Sequence, residues 1–449
     1  MPGAAARFGE RERNGKDEKL WKGRCAMLTA LAGLTWGGGA ESVMERLLET
    51  SDIIVRYQGG GAPHTLRTED GSYRFRVLPE GLKYPGKVCV LGDGMVIDLD
   101  CLRHELSMMR YFHLPAGPEN LRISARAVVL MPFSIREGML ARQATGHPPT
   151  ESSRQGFIYA YADKALRQAL RMGDLLHLGL PAVRQRLRRC VDQKNAVFTK
   201  VYGDQPLDYK EMVRWCEEQA AFFAPYICDT GRFLTDAAAE GKEILFASQF
   251  GALLDLDYGL YPYTSSFNTL AGFAAVRSGM PGHRPDRIVG TLPAYSVGVA
   301  GGPFPAQSAS AEDWGEMLSL PGDRPPGLQY GPFDLPAARY GLRLQHPDTL
   351  VLCGLEALSG LRSVPVVTGY RAGDTVIRDL DALLAGDRLD GVRPESERLP
   401  GWEGDISGIR SFSGLPQEAK RYAAFLEEGL GRRFDGVSVG EGPESIIPR

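Results

Sequence analysis

The sequence predicts an α/β protein in which strands and helices alternate around a wound sheet. Short runs of β-branched and aliphatic residues, such as Ile53-Ile54-Val55, are typical of buried strands. Segments with helical spacing of apolar residues, such as 208–223, lie between these runs, and glycine-rich connections separate them. With 449 residues, the chain is long enough for two or three ordinary domains or one large α/β unit.

Composition and charge narrow the classes of function. Hydrophobic residues make up 43% of the chain and charged residues 24%, which is typical of a globular protein. The formal net charge of -3 argues against a general nucleic-acid binder, because affinity for phosphate backbones depends on clustered Lys and Arg. Local basic patches, such as Arg184, Arg186, Arg188 and Arg189, are interpreted as the solvated face of a helix over Val183 and Leu187.

Seven cysteines are scattered through the chain without a C-x-x-C pair. This distribution favours neither a disulfide framework nor a zinc site, so we expect a reducing, cytoplasmic environment and no metal site. Residues 1–24 are predicted to be a flexible N-terminal extension rather than a secretory signal, because they contain several acidic residues. No apolar run approaches the ~20 residues of a membrane span, so we expect no membrane association.

The predicted elements follow from local patterns. Strands are expected at 26–34, 53–55, 73–78, 87–91, 96–99, 121–130, 243–247, 288–299, 350–355 and 365–370. Helices are expected at 42–49, 100–109, 161–171, 180–193, 208–223 and 415–430. Asp100 is the expected cap of the second helix, and Pro416 and Gly431 bound the last. Residues 142–154 are predicted to be a mobile surface loop, and the turn-rich, aromatic stretch 255–269 a loop of the functional site.

Two glycine-rich loops follow predicted strands. The first, 35–40 (TWGGGA), leads into a helix, an arrangement that places backbone amides and a helix N-terminus against phosphate, although this loop has no lysine. The second begins at Gln58 and continues through three glycines to His64. It is either an anion-binding loop or a simple glycine-rich turn, and His64 either contacts a ligand or is structural.

Several separated blocks, in this order, resemble the adenylosuccinate synthetase family over nearly the whole chain. They are VRYQGG…HTL (55–66), LLDLDYGLYPYTSSFNT (253–269), AYS…GGPFP (294–305), LPGW (399–402), SGLPQEA (413–419) and VSVG (437–440). The resemblance implies one large α/β domain over residues 25–449, with a central, mostly parallel sheet flanked by helices, usually in a homodimer. The family joins IMP to aspartate with GTP and Mg²⁺, first phosphorylating the purine O6 and then displacing that phosphate with the aspartate amine.

The first loop departs from the family pattern WGDEGKGK. The family aspartate, a general base and magnesium ligand, falls on Gly38, and the phosphate-loop lysine falls on Glu41. Two unit charges about 4 Å apart interact by about 4 kcal/mol at an effective dielectric of about 20, so this exchange replaces attraction with repulsion. Both GTP and Mg²⁺ are therefore doubtful ligands. By position, the resemblance still assigns nucleotide contacts to Gly37, Gly38, Gly39, Glu356, Ser438 and Gly440.

The second loop and its surroundings retain more of the family pattern. His64 falls on the histidine that assists phosphoryl transfer, so it is the candidate catalytic residue. Ser153 and Ser265 fall on threonines that hold the IMP phosphate, and Arg167 falls on an arginine that reaches the neighbouring subunit. The candidate substrate-binding residues are Gln58, Gly59, Gly60, Ser153, Arg167, Gln249, Ser265 and Asn268.

Two further family motifs are replaced. Phe250 stands at the position of the family's purine-contacting glutamine, with Gln249 one residue away, where an extended backbone would turn it to the other face. The arginine-rich loop that binds aspartate is replaced by PPGLQYG at 325–331, which supplies no cation for a carboxylate.

Two hypotheses remain open at this stage. In the first, the chain has been repurposed to bind a different phosphorylated, nucleotide-like substrate, such as a nucleoside monophosphate. If it is an enzyme, it is then a divergent carbon–nitrogen ligase or phosphoryl-transfer enzyme. In the second, it is a non-catalytic partner or regulator of a true synthetase, as a homodimer or a heteromer. The tyrosines at 258, 261 and 263 are either stacking partners for a ligand or packing residues.

Overall fold

The structure is a computed structural model that describes residues 28–61, 64–68, 71–145, 156–247, 250–299, 304, 306, 318, 328–384 and 391–449. Twenty strands lie within these residues: β1 Leu28–Gly33, β2 Ile53–Arg56, β3 His64–Thr68, β4 Gly71–Phe75, β5 Val88–Leu91, β6 Val96–Ile97, β7 Leu121–Ser124, β8 Val128–Val129, β9 Ile227–Cys228, β10 Ile244–Ala247, β11 Arg287–Pro293, β12 Ser296–Val299, β13 Leu328–Gly331, β14 Phe333–Asp334, β15 Thr349–Cys353, β16 Ser363–Ala372, β17 Thr375–Ile377, β18 Arg393–Pro400, β19 Gly436–Ser438 and β20 Ile446–Pro448.

The α-helices of the described residues alternate with these strands. They are α1 Glu41–Thr50, α2 Leu99–Tyr111, α3 Pro132–Thr145, α4 Phe157–Ala165, α5 Met172–Leu175, α6 Pro181–Lys200, α7 Tyr209–Phe223, α8 Thr230–Ala239, α9 Ala274–Ser278, α10 Leu335–Gln345, α11 Leu380–Leu384 and α12 Gln417–Leu430. None of these helices is both long and apolar enough to cross a lipid bilayer.

A single large sheet organises the described residues, with the strand order β20-β19-β15-β11-β1-β10-β2-β5-β7-β9. β1 lies in its interior and pairs in parallel with β10 on one side and β11 on the other. Every pairing along this order is parallel except the one between β20 and β19, which is antiparallel. The predicted mostly parallel sheet flanked by helices is confirmed.

Both faces of the sheet are covered, as a parallel sheet requires. In β2, Ile54 packs with the large cluster formed by α1, α2, α6 and α7, while Ile53 and Val55 point into a second cluster with α8. This alternation follows from the two-residue period of a strand. A third cluster joins α10 and α12 to the β15 side of the sheet.

Most predicted elements are present, and the differences have local causes. β4 ends at Phe75 rather than continuing to residue 78, because the backbone N–H groups of residues 76–78 donate to the buried Glu105 carboxylate instead of a strand. Asp98, not Asp100, caps α2 by accepting from Cys101 N. α4 begins and ends earlier than expected.

The prediction of a surface loop at 142–154 is wrong at its start, because α3 continues to Thr145. Residues 146–155 lie outside the part of the chain that the structure describes. The patterns also missed the longer helices α3, α8 and α10 and the short helices α5, α9 and α11. The arginines from Arg184 to Arg189 lie on α6 over buried Val183 and Leu187, as predicted. Residues 1–24, predicted to be an extension, lie outside the described residues.

Gly341 of α10 marks the closest approach between this helix and the loop after β1. A methyl group at this position would lie 1.6 Å from the carbonyl oxygen of Leu34. We therefore expect Gly341→Ala to lower the free energy of unfolding by roughly 2–4 kcal/mol in urea, despite the better helix propensity of alanine. Gly179→Ala, where no atom lies within 4 Å of the added methyl group, is the matched control. Equal stability of the two variants would contradict the close approach.

Candidate functional site

The candidate residues gather at one edge of the sheet because they follow parallel strands. The carboxyl ends of β1, β2, β10, β15 and β19 all lie at this edge. The first glycine loop follows β1, the second follows β2, Glu356 follows β15, and Gly440 follows β19. Ligands of open parallel sheets bind outside the carboxyl ends of strands, so this edge is the candidate site.

The first glycine loop adopts the backbone that its sequence predicts. Gly37, Gly38 and Gly39 have φ angles of 112°, 85° and 66°, in the left-handed region that favours glycine. α1 begins directly afterwards at Glu41, and Ala40 before it supplies no side-chain cap. The helix N-terminus therefore points toward the site with an exposed carboxylate, where a phosphate would need a cation or an open set of N–H groups.

A cavity of about 510 Å³ lies beside the segment after β19, and the charge of Glu41, at the start of α1, acts on Glu356 in its wall. The cavity is lined by Glu356, Ser359, Gly360, Glu403, Asp405, Ser407, Gly440 and Glu441. Four of these eight residues are acidic, and no Lys or Arg lies among them. The cavity therefore repels phosphate groups and favours groups that donate hydrogen bonds or carry positive charge.

Among the acidic residues that line the cavity, Glu356 has a clearly raised pKa. Burial, followed by the charges of Glu441, Glu41 and Asp405, raises its pKa to about 7. Its Oε2 atom is buried and makes no hydrogen bond with the described residues. The side chain is therefore poised between a proton donor and an acceptor near neutral pH.

Serine hydroxyls connect the start of α1 to β19 and to the segment after it. Ser42 Oγ donates to Ser438 Oγ at 2.8 Å, and Ser438 Oγ donates to the carbonyl oxygen of Gly440 at 2.7 Å. Ser445 Oγ also donates to Gly440 O, at 2.7 Å. Ser438 is thus buried in this network and positions the wall of the cavity through Gly440.

The second glycine loop is enclosed by aromatic rings. Gly59 and Gly60 have φ angles of 75° and 156°, and a methyl group on Gly59 would lie 3.0 Å from the Phe250 ring. Phe250 packs edge-on against Phe267 at 5.0 Å between ring centroids. Gln58 is buried at the start of this loop. The loop therefore presents a glycine backbone beside an aromatic wall.

His64 lies at the start of β3, and its ring lies between the side chains of Arg56 and Glu80. Its Nδ1 lies 3.5 Å from Arg56 Nη1, and its Nε2 lies 3.7 Å from Glu80 Oε1. Arg56 also donates to the backbone carbonyl of Arg76 at 2.6 Å, and burial lowers its pKa. In this arrangement Arg56 and Glu80 orient the imidazole. The catalytic role of His64 stays a prediction.

The loop at 255–269 is held by one buried carboxylate. Asp255 is fully buried and accepts from the backbone N–H groups of Asp257, Tyr258, Thr269 and Leu270. Ser265 Oγ donates to Phe267 O at 2.6 Å, so in this structure its hydroxyl stabilises the loop itself. Asn268 donates to Asp257 and accepts from Arg277.

Arg167 is exposed just after α4 and has a φ angle of 62°. Ser153 and Gln249 lie outside the described residues, so their predicted contacts are not placed.

The structure also brings Tyr161, Lys164 and Arg277 to this edge, and none of these was singled out from the sequence. Tyr161 Oη donates to Gly94 O at 3.0 Å and accepts from Gly59 N at 3.2 Å. Lys164 follows Tyr161 by three residues, so the two share a helix face, which is the signal that could have identified it. Arg277 stands out only as a charged residue among small ones in AGFAAVRSG.

The residues at the first loop do not fit a magnesium triphosphate. The glycines provide backbone N–H groups, but Glu41, Glu356 and Glu441 place negative charge around them. No group of three or more metal-ligating side chains occurs in the part of the chain that the structure describes. Phosphate binding at this loop is therefore opposed by charge.

Comparisons with known proteins agree on ancestry. The sequence model of the adenylosuccinate synthetase family matches residues 30–447. The chain is 34% identical to the adenylosuccinate synthetase of Caldanaerobacter subterraneus subsp. tengcongensis, over 94% of this chain and 99% of that protein.

Solved structures agree on the fold. The fully ligated adenylosuccinate synthetase of Plasmodium falciparum superposes with a TM-score of 0.82 at 24% identity, covering 94% of this chain and 100% of that one. The succinoaminodeoxyadenylate synthetase of cyanophage S-2L, bound to dGMP and dATP, superposes with a TM-score of 0.55 at 16% identity, covering 94% of each chain.

The raised pKa of Glu356 predicts a pH-dependent stability. A carboxyl group whose pKa is higher in the folded than in the unfolded chain loses stabilisation as pH rises from about 4.5 to about 7. Glu356→Gln should therefore become more stable than the unchanged protein as pH increases over this range, by on the order of 1–3 kcal/mol above pH 8. Thermal unfolding at pH 5 and pH 8 measures the difference.

The matched control for this comparison is Glu444→Gln, which changes an exposed carboxylate in the segment that contains Gly440 and Glu441 of the cavity wall. A constant difference between Glu356→Gln and the unchanged protein at both pH values would contradict the prediction.

Proposed function

The chain belongs to the adenylosuccinate synthetase family, and we propose that it has been repurposed to bind a different phosphorylated, nucleotide-like substrate, such as a nucleoside monophosphate. In this proposal Gln58, Gly59 and Gly60 contact the substrate and His64 acts on it. The remaining substrate contacts are Ser153, Arg167, Gln249, Ser265 and Asn268. The weaker nucleotide contacts are Gly37, Gly38, Gly39, Glu356, Ser438 and Gly440.

The observation that carries this proposal is the difference in charge between the two loops. Glu41 and the acidic cavity beside the segment after β19 oppose a triphosphate. The second loop keeps left-handed glycines beside an aromatic wall, and its neighbourhood contains Lys164 and Arg277. A site with these features suits a ligand that combines a flat ring with a single phosphate group.

The chemistry of the family also sets limits on the reaction. If the first loop rejects triphosphates, the reaction either uses a phosphoryl donor other than the family's magnesium nucleotide or includes no phosphoryl transfer. His64 Nδ1 faces Arg56 and Nε2 faces Glu80, so His64 would donate a hydrogen bond or a proton to an oxygen of the substrate only after Nε2 turns away from Glu80. The cyanophage synthetase, which is bound to a different nucleotide pair, has the same fold, so this fold is compatible with more than one ligand set.

A thermal-shift screen tests this function. We expect nucleoside monophosphates to raise the melting temperature without Mg²⁺, and triphosphates with Mg²⁺ to raise it less. Ligand at about a hundredfold excess over its Kd stabilises by ~2.7 kcal/mol, which such a screen detects. Gln58→Ala should reduce the monophosphate shift, while Gln205→Ala, on an exposed residue far along the chain, should not. A larger shift with magnesium triphosphate would overturn the proposal.

A second candidate function is a non-catalytic subunit that pairs with a copy of itself or with a related synthetase. Several apolar side chains around α3, α4 and α6 are exposed in the single chain, including Leu166 at 65% and Val201 at 69%. Exposed Arg167 lies next to Leu166. An apolar surface of this kind, with a basic residue beside it, favours a subunit interface.

Sedimentation equilibrium distinguishes these assemblies. We expect the protein to be dimeric at micromolar concentration, and Leu166→Glu to shift it toward monomer because a charge would be buried in the interface. Leu256→Glu, on an exposed residue of the loop at 255–269, is the control. A monomer that also fails to associate with a purified synthetase from the same organism would exclude this candidate.

A further inference from the structure

We propose that Lys164 and Arg277 together bind a tetrahedral dianion, of the phosphate or sulfate type, beside the turn at Gly94. This inference deepens the proposed function, since the anion would be the phosphate group of the proposed substrate. It rests on the described positions of the two cations and on the lack of a direct ion pair to either of them among the described residues.

Lys164 reaches the turn from α4. Its Nζ donates to the carbonyl oxygen of Asp93 at 3.3 Å, and the side chain is partly buried. No ion pair joins Lys164 to any Asp or Glu of the described residues. A carbonyl oxygen accepts the hydrogen bond but does not cancel the charge, so this partly buried ammonium makes no direct ion pair among the described residues.

Arg277 reaches the same turn from α9. Its backbone carbonyl accepts from Gly94 N at 2.7 Å, and a methyl group on Gly94 would lie 2.7 Å from the Arg277 Cδ atom. The guanidinium group donates from Nη2 to Asn268 Oδ1 at 2.9 Å. Among the described residues, Arg277 forms no salt bridge either, and Asn268 is a neutral acceptor. Several of its N–H donors therefore remain for a ligand.

The carboxylate of Asp93 does not pair directly with Lys164. Asp93 Oδ1 accepts from Ser124 Oγ at 2.6 Å and lies 3.4 Å from Thr230 Oγ1. Its attraction does not offset the other effects on Lys164, because burial, then Arg277 and Arg171, lower the pKa of Lys164 to about 8. Two like charges close enough to affect each other in a partly buried position are unfavourable without an anion.

The pair is close to the second glycine loop. Tyr161, on the same face of α4 as Lys164, links the turn to this loop by donating to Gly94 O and accepting from Gly59 N. An anion held by the two cations would therefore lie beside the loop that carries Gln58 and Gly60. Arginine supplies a planar fork of donors and lysine a point charge, a combination that suits a tetrahedral oxyanion.

The two cations give the binding a defined pH dependence. The charged groups facing Lys164 are Arg277, Arg171 and Asp93. On its own helix, Asp163 pairs with Lys194. Because the ammonium form of Lys164 binds the anion, affinity should fall as pH rises through about 8. A bound dianion should in turn raise the pKa of Lys164.

Sulfate is the probe, because it stays a dianion throughout the pH range of interest. Binding to the full chain is measured by calorimetry at constant ionic strength with chloride as the competing salt. We expect Arg277→Gln and Lys164→Met each to weaken sulfate binding about tenfold or more. Arg277→Lys should fall between the unchanged protein and Arg277→Gln. Arg284→Gln, which changes an exposed arginine seven residues further on, is the matched control.

A second readout separates anion binding from a purely structural role. Reductive methylation with ¹³C places an NMR label on Lys164, and its pKa is measured with and without sulfate. We expect sulfate to raise this pKa in the unchanged protein and not in Arg277→Gln. No effect of sulfate on Lys164, or equal affinity in Arg277→Gln and Arg284→Gln, would overturn the inference.

The same variants separate this inference from the proposed function. If sulfate binds through both cations but no nucleoside monophosphate stabilises the protein, the anion site stands and the nucleotide function fails. If a monophosphate binds equally well to Arg277→Gln and Arg284→Gln, the nucleotide function stands and the anion site fails.

Discussion

The parallel pairing of β1 with β10 and β11 is the constraint on which the rest of the structure depends. It places the carboxyl ends of neighbouring strands at one edge, and so brings together loops that lie far apart in sequence. Close contacts maintain this arrangement. Gly33 forms a bridge with Gly251, and Gly251 N donates to the carbonyl oxygen of Trp36. A side chain at Gly251 would lie 2.0 Å from Thr35 O, so both loops depend on glycine at this point.

Charge divides this edge into two regions. The side that contains the first glycine loop, Glu356 and Glu441 is acidic, whereas the side near the Gly94 turn carries Lys164 and Arg277. Burial increases the effect of each group, since it removes the water that would screen it. A ligand with one anionic end and one hydrogen-bond-donating end would match this separation of basic and acidic regions. The separation depends on side-chain charges and not on the glycine backbone alone.

The sequence predicted the sheet better than the site. β-branched runs and their glycine-rich ends identified β1, β2, β5 and β10, because these signals are local. Local patterns could not show that residues 76–78 would bind Glu105 rather than extend β4, since that carboxylate is distant in sequence. Motif positions singled out Glu356 and Asn268 as candidates, but they gave no reason to consider Arg277, whose position depends on a contact with Gly94. The orientation of His64 toward Arg56 and Glu80 likewise depends on tertiary packing.

The serine network has a consequence for the order in which the chain acquires its structure. Ser42 and Ser438 are separated by 396 positions, yet their hydroxyls share a buried hydrogen bond. A ribosome that adds residues from the N-terminus synthesises Ser42 long before Ser438 exists. Contacts between such distant residues form late, since the intervening chain must first be ordered. The acidic cavity wall is therefore completed only after β19 has joined the sheet, so an incomplete chain lacks this part of the site.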